Sequence, residues 1–189
     1  MPAHLEVRFV SSNKHKLAEA QKILEPAGIT VRPSNLKIDE LQTKDTDKLV
    51  HDKLLKAFAE IGRPLFVEHT GLYLPHLNNL PGGLTQIFWD SLEADRFSEL
   101  FGKLAPVKSA TARTTISYCD GRRIHDFSGE ITGSITDNPR GDRSFQWDCV
   151  FQPDGQTETF AEMGDRKNDI SMRRLALDKL AEFLEEGTR

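Results

Sequence analysis

The residues of this chain best suited to chemistry fall in a few short stretches. Phe145-Gln146-Trp147-Asp148 sets two aromatics beside an acid, and Lys167-Asn168-Asp169-Ile170-Ser171-Met172-Arg173-Arg174 sets cations directly before an apolar-periodic helix. An aromatic face stacks on a nucleobase, while lysine, arginine and helix-N-terminal amides meet phosphates and exocyclic groups. Taken alone, the same residues also make a strand core of Trp147, Val150 and Phe151 with cations on a solvated turn, which is the commoner use.

Ser12-Asn13-Lys14 and Lys16 stand where a strand passes straight into a helix, with Asn13 as the expected N-cap, a junction whose free amides and dipole favour a phosphate. The glycines of a P-loop or dinucleotide fingerprint are missing, so neither motif applies. The run Leu65-Phe66-Val67 ends in Glu68-His69-Thr70-Gly71, read as a tight polar turn at the C-terminal end of a buried strand, the edge where open α/β sheets bind ligands. A polar strand end accounts for Glu68 and His69 equally well. Lys56 lies in the second half of a helix, where a lysine is usually just solvated.

The elements that must position these groups follow from periodicity. Strands are expected over 5–10 and 29–32, and a helix carrying Leu17, Ala20 and Leu24 between them. A polar loop over 35–43 holds Glu40. A helix over 46–61 shows Val50, Leu54, Ala57 and Ile61 at helical spacing, with Gly62 past its end. After the turn at Leu80-Pro81-Gly82-Gly83 come helices over 85–92 and 93–104. Strict alternation then predicts a strand over 110–118, paired through Asp120-Gly121 with one over 123–131. A strand is expected over 159–163 and a last helix over 170–185. Early strand–helix alternation followed by antiparallel strands predicts an α/β fold. Its mixed central sheet is flanked by helices, with an inserted antiparallel hairpin lobe and a substrate cleft between the lobes of a single domain over 1–189. Ile87-Phe88-Trp89 reads as core, with an interface as its other use.

At 189 residues, with 38% hydrophobic and 29% charged, the chain has the composition of a soluble globular protein. A formal net charge of −4 argues against a general nucleic-acid binder, which needs a basic footprint, yet leaves room for a local cationic pocket on an acidic surface. Cys119 and Cys149 show no metal-ligand spacing and fit reduced thiols. No apolar run reaches transmembrane length, and Met1-Pro2-Ala3-His4-Leu5-Glu6 lacks both a basic n-region and an apolar h-region, so the cytoplasm is the expected compartment.

The inventory suits a metal-nucleotide: cations at Lys14, Lys56, Arg140, Lys167 and Arg173, carboxylates at Glu40 and Glu68, aromatics at Phe145 and Trp147. In sequence order these motifs resemble those of the Ham1-like non-canonical purine NTP pyrophosphatases, the inosine triphosphate pyrophosphatase family. The likeness spans nearly the whole chain, through Ser12-Asn13-Lys14 with Lys16 and Glu19, Glu40-Leu41-Gln42, Leu54-Leu55-Lys56-Ala57, Glu68-His69-Thr70-Gly71-Leu72 and Leu80-Pro81-Gly82. It continues through Pro139-Arg140-Gly141, Phe-x-Trp-Asp at 145–148, Phe151-Gln152-Pro153-Asp154-Gly155, Lys167-Asn168 and Ser171-x-Arg173.

The resemblance implies Mg²⁺-dependent hydrolysis, with Mn²⁺ as an alternative, of a nucleoside triphosphate to monophosphate and pyrophosphate by a homodimer. Glu40 and Glu68 would hold metal. Ser12, Asn13, Lys14, Lys56 and Lys167 would contact phosphates, and Phe145 would stack on the base, with Trp147, Asp148, Ser171, Met172 and Arg173 around it. Glu68, Lys56 and His69 would be the catalytic groups. Departures are concentrated in that site: His69 where the family usually has Asp, Met172 where it prefers His, Cys149 where Pro usually follows Trp-Asp, and His51-Asp52 where Glu-Asn is common. Two of them bear on function, His69 and Met172. The first predicts altered or lost catalysis, since a neutral imidazole accepts a proton but supplies no negative charge. The second predicts a shifted purine preference. A catalytically impaired nucleotide-binding protein on the same fold is the alternative.

Overall fold

The computed structural model describes residues 5–187; the first four residues, on which part of the leader expectation rests, lie outside them. The elements run β1 (Leu5–Val10), α1 (Lys14–Leu24), β2 (Ile29–Ser34), α2 (Thr46–Ile61), β3 (Leu65–Leu74), β4 (Leu80–Pro81), α3 (Thr85–Ser98), β5 (Ser109–Cys119), β6 (Ile124–Ile135), β7 (Phe151–Pro153), α4 (Phe160–Met163) and α5 (Met172–Glu186). The described residues form one seven-stranded mixed sheet in the order β2-β1-β3-β5-β6-β7, with β4 on β3. β1 is parallel to β2 and β3, and the remaining pairs are antiparallel. The hairpin β5–β6 is therefore continuous with the parallel part, so the two lobes share a sheet and differ in the cores packed on it.

Alternation along β3 assigns those cores. Phe66 points toward α1 and α5, stacks on Phe9 at 4.4 Å and joins Ala20, Leu24, Ala176 and Leu180. Leu65 and Val67 point the other way, against Leu54 and Ala57 of α2. A third cluster, around Leu72, Phe97, Trp147, Phe151 and Phe160, fills the hairpin end.

Glu68-His69-Thr70-Gly71 is not a turn. β3 runs on to Leu74 because β5 pairs with it from Leu65 opposite Cys119 to Tyr73 opposite Thr111, and all ten residues are buried. Gly71 is where the turn at 82–84 crosses the strand: a Cβ there would stand 2.6 Å from the Gly82 carbonyl oxygen. The expected strand over 159–163 is instead the one-turn helix α4. Thr159 Oγ1 accepts from Glu162 N while Glu162 accepts from Thr159 N, a reciprocal cap written in Thr159-Phe160-Ala161-Glu162. The expected break between two helices at 92–93 appears as a kink at Glu93, whose φ is 55°. Phe88 and Trp89 pack toward Phe101 and Phe97, leaving Ile87 exposed.

Candidate functional site

β1 stops at Val10, whereas β3, level with it at Phe9–Phe66, continues for eight residues. The space beyond the end of β1 is a cleft of about 270 Å³ reaching both faces of β3, lined by Ser12, Asn13, Lys16, Glu40, Lys53 and His69 among others. Asn13 fixes its entrance. The Asn13 Oδ1 accepts from the amides of His15, at 3.0 Å, and Lys16, at 3.1 Å, which locks the first turn of α1.

Glu68 and Thr70 share the α1/α5 face of β3. The Lys16 ammonium sits 2.5 Å from Glu68 Oε1, and Arg173 Nε donates to Oε2 at 2.8 Å. Burial works against the Glu68 charge, but Arg173 and Lys16 outweigh it and hold the carboxyl far below the ordinary range. Burial pulls Lys16 below the ordinary lysine range, against the opposing effect of Glu68. On the α2 face, Lys53 Nζ lies 2.5 Å from Glu40 Oε1 and 3.3 Å from the Glu68 carbonyl. His69 points here too. Its Nε2 is buried with no hydrogen-bond partner among the described residues. Burial, reinforced by the Lys16 and Lys53 charges, lowers its pKa to about 4, so the ring is neutral at pH 7.

A second cavity of about 270 Å³ adjoins the cleft across the first turns of α1 and is lined by His15, Phe145, Asp148, Lys167 and Asn168, among others. Lys167, only 2% exposed, donates to Asp148 Oδ2 at 2.6 Å and Glu19 Oε1 at 3.0 Å, and its ammonium lies 4.5 Å from the Phe145 ring centre. Burial pushes the Asp148 carboxyl up, against the pull of Lys167. Arg173 reaches Glu68, Glu19 and Thr70. A chain of alternating charge, Lys16, Glu68, Arg173, Glu19, Lys167, Asp148, thus joins the two cavities. Gly129 permits it: a Cβ there would come within 2.2 Å of the Met172 carbonyl, so only glycine in β6 lets the start of α5 lie this close.

Of the residues singled out in the sequence, Ser12, Asn13, Glu40 and His69 line the cleft, Phe145, Asp148 and Lys167 the second cavity, and Glu68 and Arg173 connect them. The others stand elsewhere. Lys14 is exposed on α1, and Lys56 is exposed with its Nζ on the Asp39 carbonyl and Asp52. Trp147 and Met172 are buried in the apolar cluster around Phe151 and Phe160. Ser171 caps α5, accepting from Arg174 N. Sequence reasoning missed Lys53, although spacing marks it. Lys53 lies three residues after Val50 and four before Ala57 on the buried face of α2, whereas Lys56, three residues on, is about 60° further round, away from Val50 and Leu54. Glu19, named only as part of a motif, proves to be the bridge between Arg173 and Lys167.

No group of three or more His, Cys, Asp or Glu side chains among the described residues is arranged to hold a metal ion. The acid lining the cleft is Glu40, and Glu68 lies buried behind Lys16 at its wall; both are paired with cations. Such a donor set does not make a closed cage, but it suits a divalent cation that brings phosphate oxygens and water with it.

The Ham1 family profile matches residues 7–183. The inosine triphosphate pyrophosphatase of Yarrowia lipolytica is 40% identical over 186 residues, covering 96% of this chain and 97% of its own. The dITP/XTP pyrophosphatase of Methanopyrus kandleri is 33% identical, covering 95% of this chain and 96% of its own. Among solved structures, a Ham1 protein from Coxiella burnetii superposes with a TM-score of 0.80 at 26% identity, covering 96% of this chain and 99% of that one. With a matched profile over nearly its full length and relatives at this identity, the chain belongs to the Ham1 family.

Proposed function

We propose that this chain, a nucleoside triphosphate pyrophosphatase of the Ham1 family, hydrolyses purine nucleoside triphosphates to monophosphate and pyrophosphate with a bound Mg²⁺. Its base preference is shifted from that of inosine and xanthosine nucleotides. The names of its relatives support the reaction class. The observation that carries the reading is the pairing of cavities: consecutive residues His15 and Lys16, and again Phe145 and Gln146, face one cavity and then the other. A ligand with an aromatic end and a polyanionic end, joined by a short spacer, matches that arrangement.

In the second cavity Phe145 stacks on the base, with Lys167 and Asp148 at its edge. In the cleft Lys16 and Lys53 exchange Glu68 and Glu40 for phosphate oxygens and neutralise charge developing on the leaving pyrophosphate. Glu40 and Glu68, so released, would hold Mg²⁺, or Mn²⁺, which would polarise the phosphates and offset their charge. His69 Nε2, neutral and unpaired, accepts the proton of the water that attacks the α-phosphorus. The new bond is water oxygen to α-phosphorus, the broken one runs from α-phosphorus to the bridging oxygen, and pyrophosphate leaves. Met172 contributes a buried thioether and no hydrogen bond to the base, so selection rests on Asp148, Lys167 and Arg173.

His69 also supports a second reading, a nucleotide-binding protein with lost turnover, because an imidazole supplies no negative charge to the cleft. The deciding experiment incubates purified protein with a panel of ordinary and deaminated triphosphates plus Mg²⁺ or Mn²⁺ and measures pyrophosphate. Release with a purine preference supports the enzyme; binding without release from any triphosphate leaves the second reading standing. The same proposal includes a cytoplasmic homodimer, tested by light scattering and by fractionation. No helix among the described residues is long and apolar enough to cross a membrane.

A further inference from the structure

We propose that His15 is a displaceable plug of the base cavity: its imidazole occupies the ring of Phe145, and a nucleobase must eject it to bind. The two rings lie with centroids 4.8 Å apart and planes 14° from parallel, an offset stack. No base fits between them, since intercalation needs a ring-to-ring separation of roughly 7 Å, two stacking spacings. One ring has to leave.

Phe145 is the one that is held. The Lys167 ammonium lies over its ring, Asp148 N donates to its carbonyl, and its neighbour Gln146 donates to Gln86 Oε1 on α3. The His15 backbone is fixed by the hydrogen bond from its amide to Asn13 Oδ1, while its side chain is exposed at the cavity rim, with Phe145 and the Asp142 carboxylate near it. The cap keeps the Cα in place, so the imidazole leaves by side-chain rotation alone. Ejecting it costs the His15–Phe145 contact whichever base arrives, so the plug weakens binding of every nucleotide by the same factor and acts as a threshold for weakly stacking ligands. In the free protein it keeps the apolar face of Phe145 out of water.

This inference rests on the proposed nucleotide site, and the test separates the two. Dissociation constants are measured by calorimetry for purine and pyrimidine triphosphates, with an α,β-methylene analogue to prevent turnover, on the wild type, His15→Ala and His15→Phe. His15 is exposed, so both variants are expected to fold, which their thermal melts check. The plug predicts tighter binding by His15→Ala, by about 3- to 10-fold and equally for every base, with KM falling in parallel, and weaker binding by His15→Phe. Weaker binding by His15→Ala, or a change confined to one base, would overturn it by making His15 a substrate contact. If no nucleotide binds any of the three proteins, the nucleotide site itself is wrong, and the plug with it.

Discussion

Arg173 Nε and Glu68 Oε2 lie 2.8 Å apart with both side chains 2% exposed, one on the first turn of α5 and the other in the middle of β3. This contact ties the second cavity to the cleft. Burial opposes the charge of each, but Glu68 and Glu19 together keep the guanidinium firmly protonated. Such a pair adds little over a well-packed apolar isostere, yet removing Arg173 leaves two buried carboxylates, Glu68 and Glu19, each with one cation in place of two.

Arg173→Met is therefore expected to lower unfolding free energy by about 3–5 kcal/mol. Glu68 would be left with Lys16, and Glu19 with Lys167. The double variant Arg173→Met with Glu68→Gln should recover part of the loss. Urea titration of the single and double variants checks this, and an additive double-mutant cycle would show that the contact carries no coupling.

Lys53 and Lys56 should separate in activity. Lys53→Met removes the cation that touches Glu40 and the Glu68 carbonyl. If that cation meets developing phosphate charge, kcat/KM falls by about 10²- to 10³-fold, the scale of one lost electrostatic donor. Lys56→Met removes an exposed side chain paired with Asp52 and should change kcat/KM by less than about threefold. Steady-state pyrophosphate release decides, and equal losses at both positions would place the phosphates further out than the cleft.

Phe145→Ala tests the base platform. Stacking of a base on an aromatic side chain is worth about 1–3 kcal/mol, so KM is expected to rise by roughly 5- to 100-fold with a smaller change in kcat. An unchanged KM would remove Phe145 from the base site.

How far the sequence alone reaches is clear from particular residues. Periodicity located α2 to the residue, and capping chemistry located the start of α1 at Asn13. Periodicity could not reveal that β3 passes through Glu68-His69-Thr70-Gly71, because four polar or small residues resemble a turn until β5 is known to pair across them. The tripeptide after β1 drew attention to Lys14, but helix geometry swings Lys16 into the cleft and leaves Lys14 in solvent. Phe-x-Trp-Asp looked like two stacking aromatics. The tight 3-10 turn at Gln146–Cys149 sends Phe145 to the cavity and Trp147 to the core. Motif order thus pointed to the family and to the residues around the two cavities, whereas the choice between neighbouring residues depended on helix phase and turn geometry.

His69→Asp addresses catalysis. The substitution restores a negative group beside Lys16 and Lys53, the cations closest in charge to His69. Mg²⁺-dependent turnover is expected to rise if the imidazole is an impairment, whereas a fall identifies His69 as the working base. Single-turnover pyrophosphate release measures either outcome without interference from product dissociation.

His69 also makes an acid limb in stability. Its pKa falls from 6.5 to about 4 on folding because the ring is buried beside Lys16 and Lys53. Between those values the unfolded chain binds a proton that the folded chain does not, so stability rises with pH across that window. Its contribution is fully present above about pH 6.5 and is lost as the pH falls toward 4, amounting to about 3 kcal/mol at 1.36 kcal/mol per pKa unit. The depressed carboxyl of Glu68 behaves in the same sense but lower, losing its contribution only as pH drops below the ordinary glutamate value of 4.5. Urea midpoints from pH 7 to 4.5 should therefore fall in the wild type and stay nearly level in His69→Gln. Parallel curves for the two proteins would mean that His69 is solvated or paired in the folded state, and that the buried, unpartnered Nε2 is not its state in solution.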